Sequence, residues 1–193
     1  AYTMIEQFLI QYLPKEYVYH SITHIKDVVE QVERIAKNEQ VKKSDIDDLK
    51  LAAWLHDIGY IWEPKRHEER GVEYATSLLK SLEFPTQKIQ KINGMILATK
   101  IPQTPKNLHE QIICDADLDY LGRDDFHQIA DNLRRELRDH GKINSDRMWD
   151  EIQVKFLTAH KYFTKSAIKL RQAKKEKHIE EIKAKLVENN YKD

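Results

Sequence analysis

The sequence predicts an all-α fold, and three observations lead there. Apolar residues recur at three- and four-residue spacing: Ile22, Ile25, Val28, Val29, Val32 and Ile35 make one stripe, and Val72, Ala75, Leu78, Leu79 and Leu82 another, as amphipathic helices require. No segment shows the apolar/polar alternation of a half-buried strand. Gly and Pro number only five each, too few for a turn-rich β-sandwich. A chain of 193 residues matches one ordinary domain, which holds about eight to ten helices at a typical length of roughly 11 residues.

In chain order, Ser21 supplies a cap for the first stripe, and Ser44 with Asp45 precedes the apolar run Ile46 to Leu55, putting an acid in a first turn. Gly59 stands where that helix should stop. Lys65-Arg66-His67-Glu68 follows Pro64 and opens the next helix, and Pro85, the Pro102/Pro105 pair, Gly122 and Gly141 mark further breaks. Residues 1–164 read as one helical domain, and residues 165–193 as a charged C-terminal helix packed on it or extending from it. From Lys165 to Lys185 this tail is dense in Lys and Glu, with Ile168, Ala173, Ile179, Ile182 and Leu186 as a thin apolar stripe. Such a helix is largely solvated and packs on the domain or on a second copy, making a homodimer. No repeat of 20–50 residues is present.

Composition narrows the function classes. Hydrophobic residues make up 40% and charged residues 33%, enough apolar material for a core and incompatible with disorder. Lys plus Arg equal Asp plus Glu at 32 each, so no global field attracts nucleic acid or an anionic membrane, and any anion site is local. The lone Cys114 cannot form an internal disulfide, and no charged stretch followed by an apolar one opens the sequence. The longest apolar runs, such as Leu51 to Leu55, fall far short of the roughly 20 residues of a bilayer span. A soluble, cytoplasmic protein is expected.

Three blocks carry chemistry. His56-Asp57 ends the apolar helix that contains Ala52-Ala53-Trp54-Leu55, and an imidazole beside a carboxylate at a helix terminus offers two metal ligands. Alone, Asp57 reads equally as a cap or salt-bridge partner. Upstream, Tyr19-His20-Ser21-Ile22-Thr23-His24 places two histidines four apart, on one helix face. Downstream, Cys114-Asp115-Ala116-Asp117-Leu118-Asp119 places three carboxylates at alternate positions. On a helix Asp115 and Asp119 share a face and Asp117 points roughly opposite, so Asp115 and Asp119 are as readily explained by backbone amides, Arg or Lys.

These blocks resemble the HD-domain superfamily, an all-α group of metal-dependent phosphohydrolases, over about Tyr19 to Gly122. The family pattern is an early His, an adjacent His-Asp pair, and a distant Asp in an Ala-Asp context before Leu. The resemblance therefore implies metal on His24, His56, Asp57 and Asp117. Asp-Ala-Asp-Leu-Asp-Tyr-Leu-Gly looks like a bacterial subgroup described only as predicted hydrolases. Two imidazoles and two carboxylates suit one divalent ion, Mn, Fe, Co, Ni, Zn or Mg, which acidifies a water and polarises a phosphoryl oxygen.

Further roles follow from that implied centre. Asp57, His67 and Glu68 are candidate catalytic groups, with His67 or Glu68 moving protons, although a capping pattern at a helix start also explains the last two. Arg66 or Lys65 can clamp a phosphate at that helix N-terminus. Lys100 and Arg123 are further substrate-binding candidates, each following a segment expected to approach the metal, and His20 supports the site or binds phosphate. His109, His127, His140, His160 and His178 have no supporting context and read as ordinary surface or packing residues.

The pattern also departs from some relatives. Two-metal members add two histidines between the His-Asp pair and the final Asp. His67 can be the first, but Ile96-Leu97-Ala98-Thr99-Lys100 holds Thr99 and no histidine. A single metal is expected. Alarmone hydrolases place an acidic pair close after the His-Asp dyad, whereas this chain reads Ile58-Gly59-Tyr60-Ile61-Trp62 before Glu63.

The expected activity is hydrolysis of a small, nucleotide-like phosphomonoester or phosphodiester. The alternative is a non-catalytic metal-containing module for ligand sensing or partner binding. Nucleic-acid binding has only Arg134-Arg135 and the tail lysines behind it. Tyr60, Trp62, Tyr120 and Phe126 can stack a base or pack the core.

Overall fold

The computed structural model describes residues 2–192. Among them are nine α-helices: α1 (Tyr2–Tyr12), α2 (Ile22–Asn38), α3 (Lys43–Leu55), α4 (His67–Ser81), α5 (Thr86–Ala98), α6 (Leu108–Asp117), α7 (Phe126–Asp139), α8 (Asp146–Ala159) and α9 (Lys165–Glu188). Two short 3-10 turns, Ile58–Ile61 and Asp119–Gly122, join them, and no strand occurs among the described residues. The all-α expectation and its helix count both hold.

The chain divides into two compact units, Ala1–Asp117 and Leu118–Asp193. Helix α9 belongs to the second unit with α7 and α8. In the first unit α2 packs against α3 and α6, while α5 packs against α3, α4 and α6. The predicted stripe of α2 is buried at Ile25, Val28, Val32 and Ile35, facing Leu49, Ala52 and Leu55 of α3 and Ile112, Ile113 and Ala116 of α6 within one core. Burying such side chains contributes about 1.5–3 kcal/mol each before conformational entropy is charged against it.

Local chemistry sets where the helices begin. Ser21 is the N-cap of α2, its hydroxyl accepting the His24 backbone N–H at 3.4 Å. The cap of α3 is not Ser44: that helix starts at Lys43 behind Lys42, with no side-chain cap bond, and Asp45 lies in its first turn. Gly59 also differs from its expected role. The α-helix has already ended at Leu55, and Gly59 sits in the following 3-10 turn. A Cβ there would lie 1.8 Å from the His67 carbonyl oxygen, so glycine lets the turn touch the start of α4 backbone to backbone.

In the second unit α9 packs against α8 and the 3-10 turn Asp119–Gly122. Ser145 caps α8 and Thr164 caps α9, accepting from Met148 N at 3.1 Å and Ala167 N at 3.2 Å. The inward face of α9 is Ala167, Lys175, His178, Ile179 and Ile182, whereas Ile168 from the predicted stripe is 44% exposed. No helix among the described residues is long and apolar enough to cross a membrane.

Candidate metal centre

Four donors from three helix ends converge in the first unit. His24 stands in the first turn of α2, Asp117 is the last residue of α6, and His56-Asp57 is the junction where α3 gives way to a 3-10 turn. That junction explains how neighbours in sequence face one point: His56 keeps right-handed helical angles, while Asp57 departs to φ −107°, ψ 6°. Helix ends suit this task, because an intact helix would send adjacent side chains about 100° apart.

His24 Nε2 lies 3.0 Å from Asp117 Oδ1 and 3.5 Å from Asp57 Oδ2; His56 Nε2 lies 3.2 Å from Asp57 Oδ2 and 3.3 Å from Asp117 Oδ1. Donors held about 2.1 Å from one ion at angles between octahedral and tetrahedral are about 3.0–3.4 Å apart. The four edges therefore have the size of a coordination shell.

Orientation agrees with size. His56 Nδ1 is 2.7 Å from the Ala53 carbonyl oxygen, which only accepts, so this nitrogen carries the proton and Nε2 keeps its lone pair. His56 Nε2 and Asp57 Oδ2 are both buried with no hydrogen-bond partner despite their 3.2 Å separation. Two buried polar atoms left in that state are costly. A cation between them removes the cost, so the residues present fit a divalent ion.

Electrostatics carry the same signature. Burial disfavours a charged His56 ring, but the Asp57 and Asp117 carboxylates outweigh it and hold its pKa well above the usual value. Burial likewise opposes ionised Asp117, yet His24 and His56 bring it down to about 2. Cys114 takes no part: its buried thiol donates to the Ala98 carbonyl at 3.1 Å, and burial together with Asp117 and Asp115 pushes its pKa up.

Beside the four donors lies a group that can move a proton. His67 opens α4, its Nδ1–H donating to the Pro64 carbonyl at 3.0 Å. Its Nε2 is thereby aimed at Glu68 Oε2, 2.8 Å away, and Asp57 Oδ1, 3.4 Å away. Burial lowers the His67 pKa less than Asp57 and Glu68 raise it, and it stands at about 10. His20 Nε2 meets the Tyr60 hydroxyl at 3.1 Å, and the Tyr60 ring lies between His20 and His67 with both centroids at 4.2 Å. Tyr60 is thus a wall of this site, a role its sequence context left open.

Two of the other predicted residues pair with acids. Lys100 is half exposed and paired with Glu69, and Arg66 is exposed at the N-cap of α4. Arg123, in the second unit, directs its guanidinium to Asp125 at 2.9 Å and Asp119 at 3.4 Å. Asp119 is fully buried and also takes Arg171 Nε at 3.0 Å, which makes it a structural acid. Helix α6 stops at Asp117, so face arithmetic for one continuous helix does not apply across Asp119.

Comparisons place this arrangement among known proteins. The HD domain signature matches residues 21–119, just over half of the chain and all four donors. A predicted HD superfamily hydrolase from an uncultured Thermotogales bacterium has a solved structure similar to this one, with 23% identity, TM-score 0.63, and coverage of 96% of this chain and 91% of that one. A Lactobacillus plantarum protein of known structure is similar at 19% identity and TM-score 0.67, with 96% of each chain covered. No curated protein matches the chain. On the signature match, which includes His24, His56, Asp57 and Asp117, the chain belongs to the HD domain family.

Proposed function

We propose that the protein is a metal-dependent phosphohydrolase acting on a small, nucleotide-like phosphomonoester or phosphodiester. The observation that carries this reading is the convergence of His24, His56, Asp57 and Asp117, with two of the four donor atoms buried and lacking any hydrogen-bond partner. The hydrolase description of the Thermotogales neighbour supports it.

His24, His56, Asp57 and Asp117 would hold one divalent ion, Mn, Fe, Co, Ni, Zn or Mg. Such an ion supplies Lewis acidity toward a phosphoryl oxygen and a more acidic water. The chain's own residues supply the rest. His67, its pKa raised to about 10, carries a proton at neutral pH and serves as donor to the leaving oxygen. Glu68 and Asp57 keep that proton in place from 2.8 and 3.4 Å. The His20 and Tyr60 rings form a flat polar wall suited to a sugar or base, and exposed Arg66 attracts the phosphate toward it.

The test begins with elemental metal content per chain in the wild type and Asp117→Ala, followed by turnover of p-nitrophenyl phosphate, bis(p-nitrophenyl) phosphate and a nucleotide panel. About one ion per chain, lost in the variant, with metal-dependent turnover of any of these, supports the reading. A metal-loaded wild type that hydrolyses none of them overturns it.

A further inference from the structure

We propose a second divalent-cation site in the C-terminal unit, formed by His127, His178 and Glu181. It shares no residue with the four-donor centre. His127 is in the first turn of α7, and His178 and Glu181 are one turn apart on one face of α9. One donor atom from each lies within 4.8 Å of the other two. Donors to a common ion at about 2.1 Å are at most about 4.2 Å apart. Small rotations of His127 and Glu181, whose side chains are 57% and 43% exposed, close that difference.

His178 is built as a ligand is built. Its ring is buried, stacked on Phe126 with centroids 4.5 Å apart, and its Nδ1 donates to the Leu121 carbonyl at 2.9 Å. A carbonyl bond at one ring nitrogen fixes the tautomer and leaves the other as a lone-pair donor, the usual support of a metal-bound histidine. His127 lies beside it, with ring centroids 5.2 Å apart and Nε2 at 2.8 Å from Glu181 Oε2. Two imidazoles and a carboxylate are thereby gathered at one point. The His178 ring nitrogen not bonded to Leu121, an imidazole nitrogen of His127 and a Glu181 carboxylate oxygen are the three atoms that a cation at this point would engage.

The donor set also names the class of ion. Two imidazoles with one carboxylate favour zinc, cobalt or nickel over the harder magnesium and calcium, and three protein ligands leave coordination positions open. His127 also lines a hollow of about 530 Å³ with Arg134, Trp149 and Asp150, which gives a water or small anion access from solvent.

The experiment titrates the full chain with Zn²⁺, counting bound ions calorimetrically and following histidine ring ¹⁵N resonances by NMR, in wild type, His127→Ala and Glu181→Gln. Both substitutions are at exposed side chains, and circular dichroism checks that the fold is kept. We expect each variant to bind one equivalent fewer than wild type, and excess Zn²⁺ to shift the His127 and His178 resonances of wild type. Equal stoichiometry in all three proteins, or His127 and His178 resonances unmoved by Zn²⁺ in wild type, overturns the proposal.

Discussion

Asp57 and His67 are 3.4 Å apart through Asp57 Oδ1, while the other oxygen of the same carboxylate belongs to the four-donor cluster. One side chain thus serves the cation with one oxygen and orients the proton carrier with the other. Removing the carboxylate's charge disables both, whereas removing the imidazole disables only the second.

Asp57→Asn is therefore expected to lose metal and turnover together. His67→Gln keeps about one metal per chain and loses about 10²–10⁴-fold in kcat, the usual range for one general acid. Metal analysis beside steady-state kinetics separates the two. Loss of metal in His67→Gln would make His67 a ligand instead.

Two acids two positions apart should behave oppositely. Asp117→Ala removes a donor that faces His24 and His56, so metal is lost while the helical spectrum is kept. Asp119→Ala strips the fully buried partner of Arg171 and Arg123, and breaking a buried pair costs about 3–5 kcal/mol. Urea denaturation should show that loss while metal binding at the four-donor site survives.

Metal binding should depend on pH in a definite direction. The Asp57 and Asp117 carboxylates hold the His56 pKa well above its usual value, so a cation at Nε2 competes with a proton for the same lone pair. Affinity for Zn²⁺ then rises by about tenfold per pH unit for each displaced proton below that pKa. Calorimetry in two buffers of different ionisation enthalpy counts the protons released.

His67 makes a complementary prediction for chelator-treated protein. Its folded pKa of about 10 exceeds the ordinary value of about 6.5, so its ion pairs stabilise the fold fully below about pH 6.5 and progressively less up to about pH 10. The stability difference between wild type and His67→Gln should shrink over that window in urea titrations. A difference that grows with pH would contradict the assignment.

Gly59→Ala tests the contact between the 3-10 turn and α4. The new methyl meets backbone at 1.8 Å, so the turn and His67 must separate, at a cost of about 3 kcal/mol or more. Because His67 moves with its backbone, kcat should fall even at temperatures where the variant stays folded.

Much of the molecule was legible in its sequence because periodicity and caps are local. The α2 stripe and the Ser21 cap read directly, and the family resemblance picked out His24, His56, Asp57 and Asp117, whose side chains the structure brings together. What failed to read depended on partners distant in the chain. Gly59 is explained by the His67 carbonyl, and among the explanations the sequence left open for Asp119 the choice falls to Arg171, 52 residues away. Lys100 pairs with Glu69, 31 residues away, a contact that no local pattern announces. His127 and His178 meet only because α7 and α9 bring them together, and the His178 to Glu181 spacing is the one local sign of it.

The buried thiol of Cys114 carries a practical consequence. It is the sole sulfhydryl in the chain, and its hydrogen bond to Ala98 lies within the N-terminal unit. An alkylating reagent can reach it only when that unit opens, and even then reacts through the thiolate. Labelling rate thus becomes a built-in clock for local opening, readable by mass spectrometry with no engineered probe. Metal that clasps the ends of α2, α3 and α6 should slow the clock, so the same single sulfur reports how tightly the ion ties those helices together.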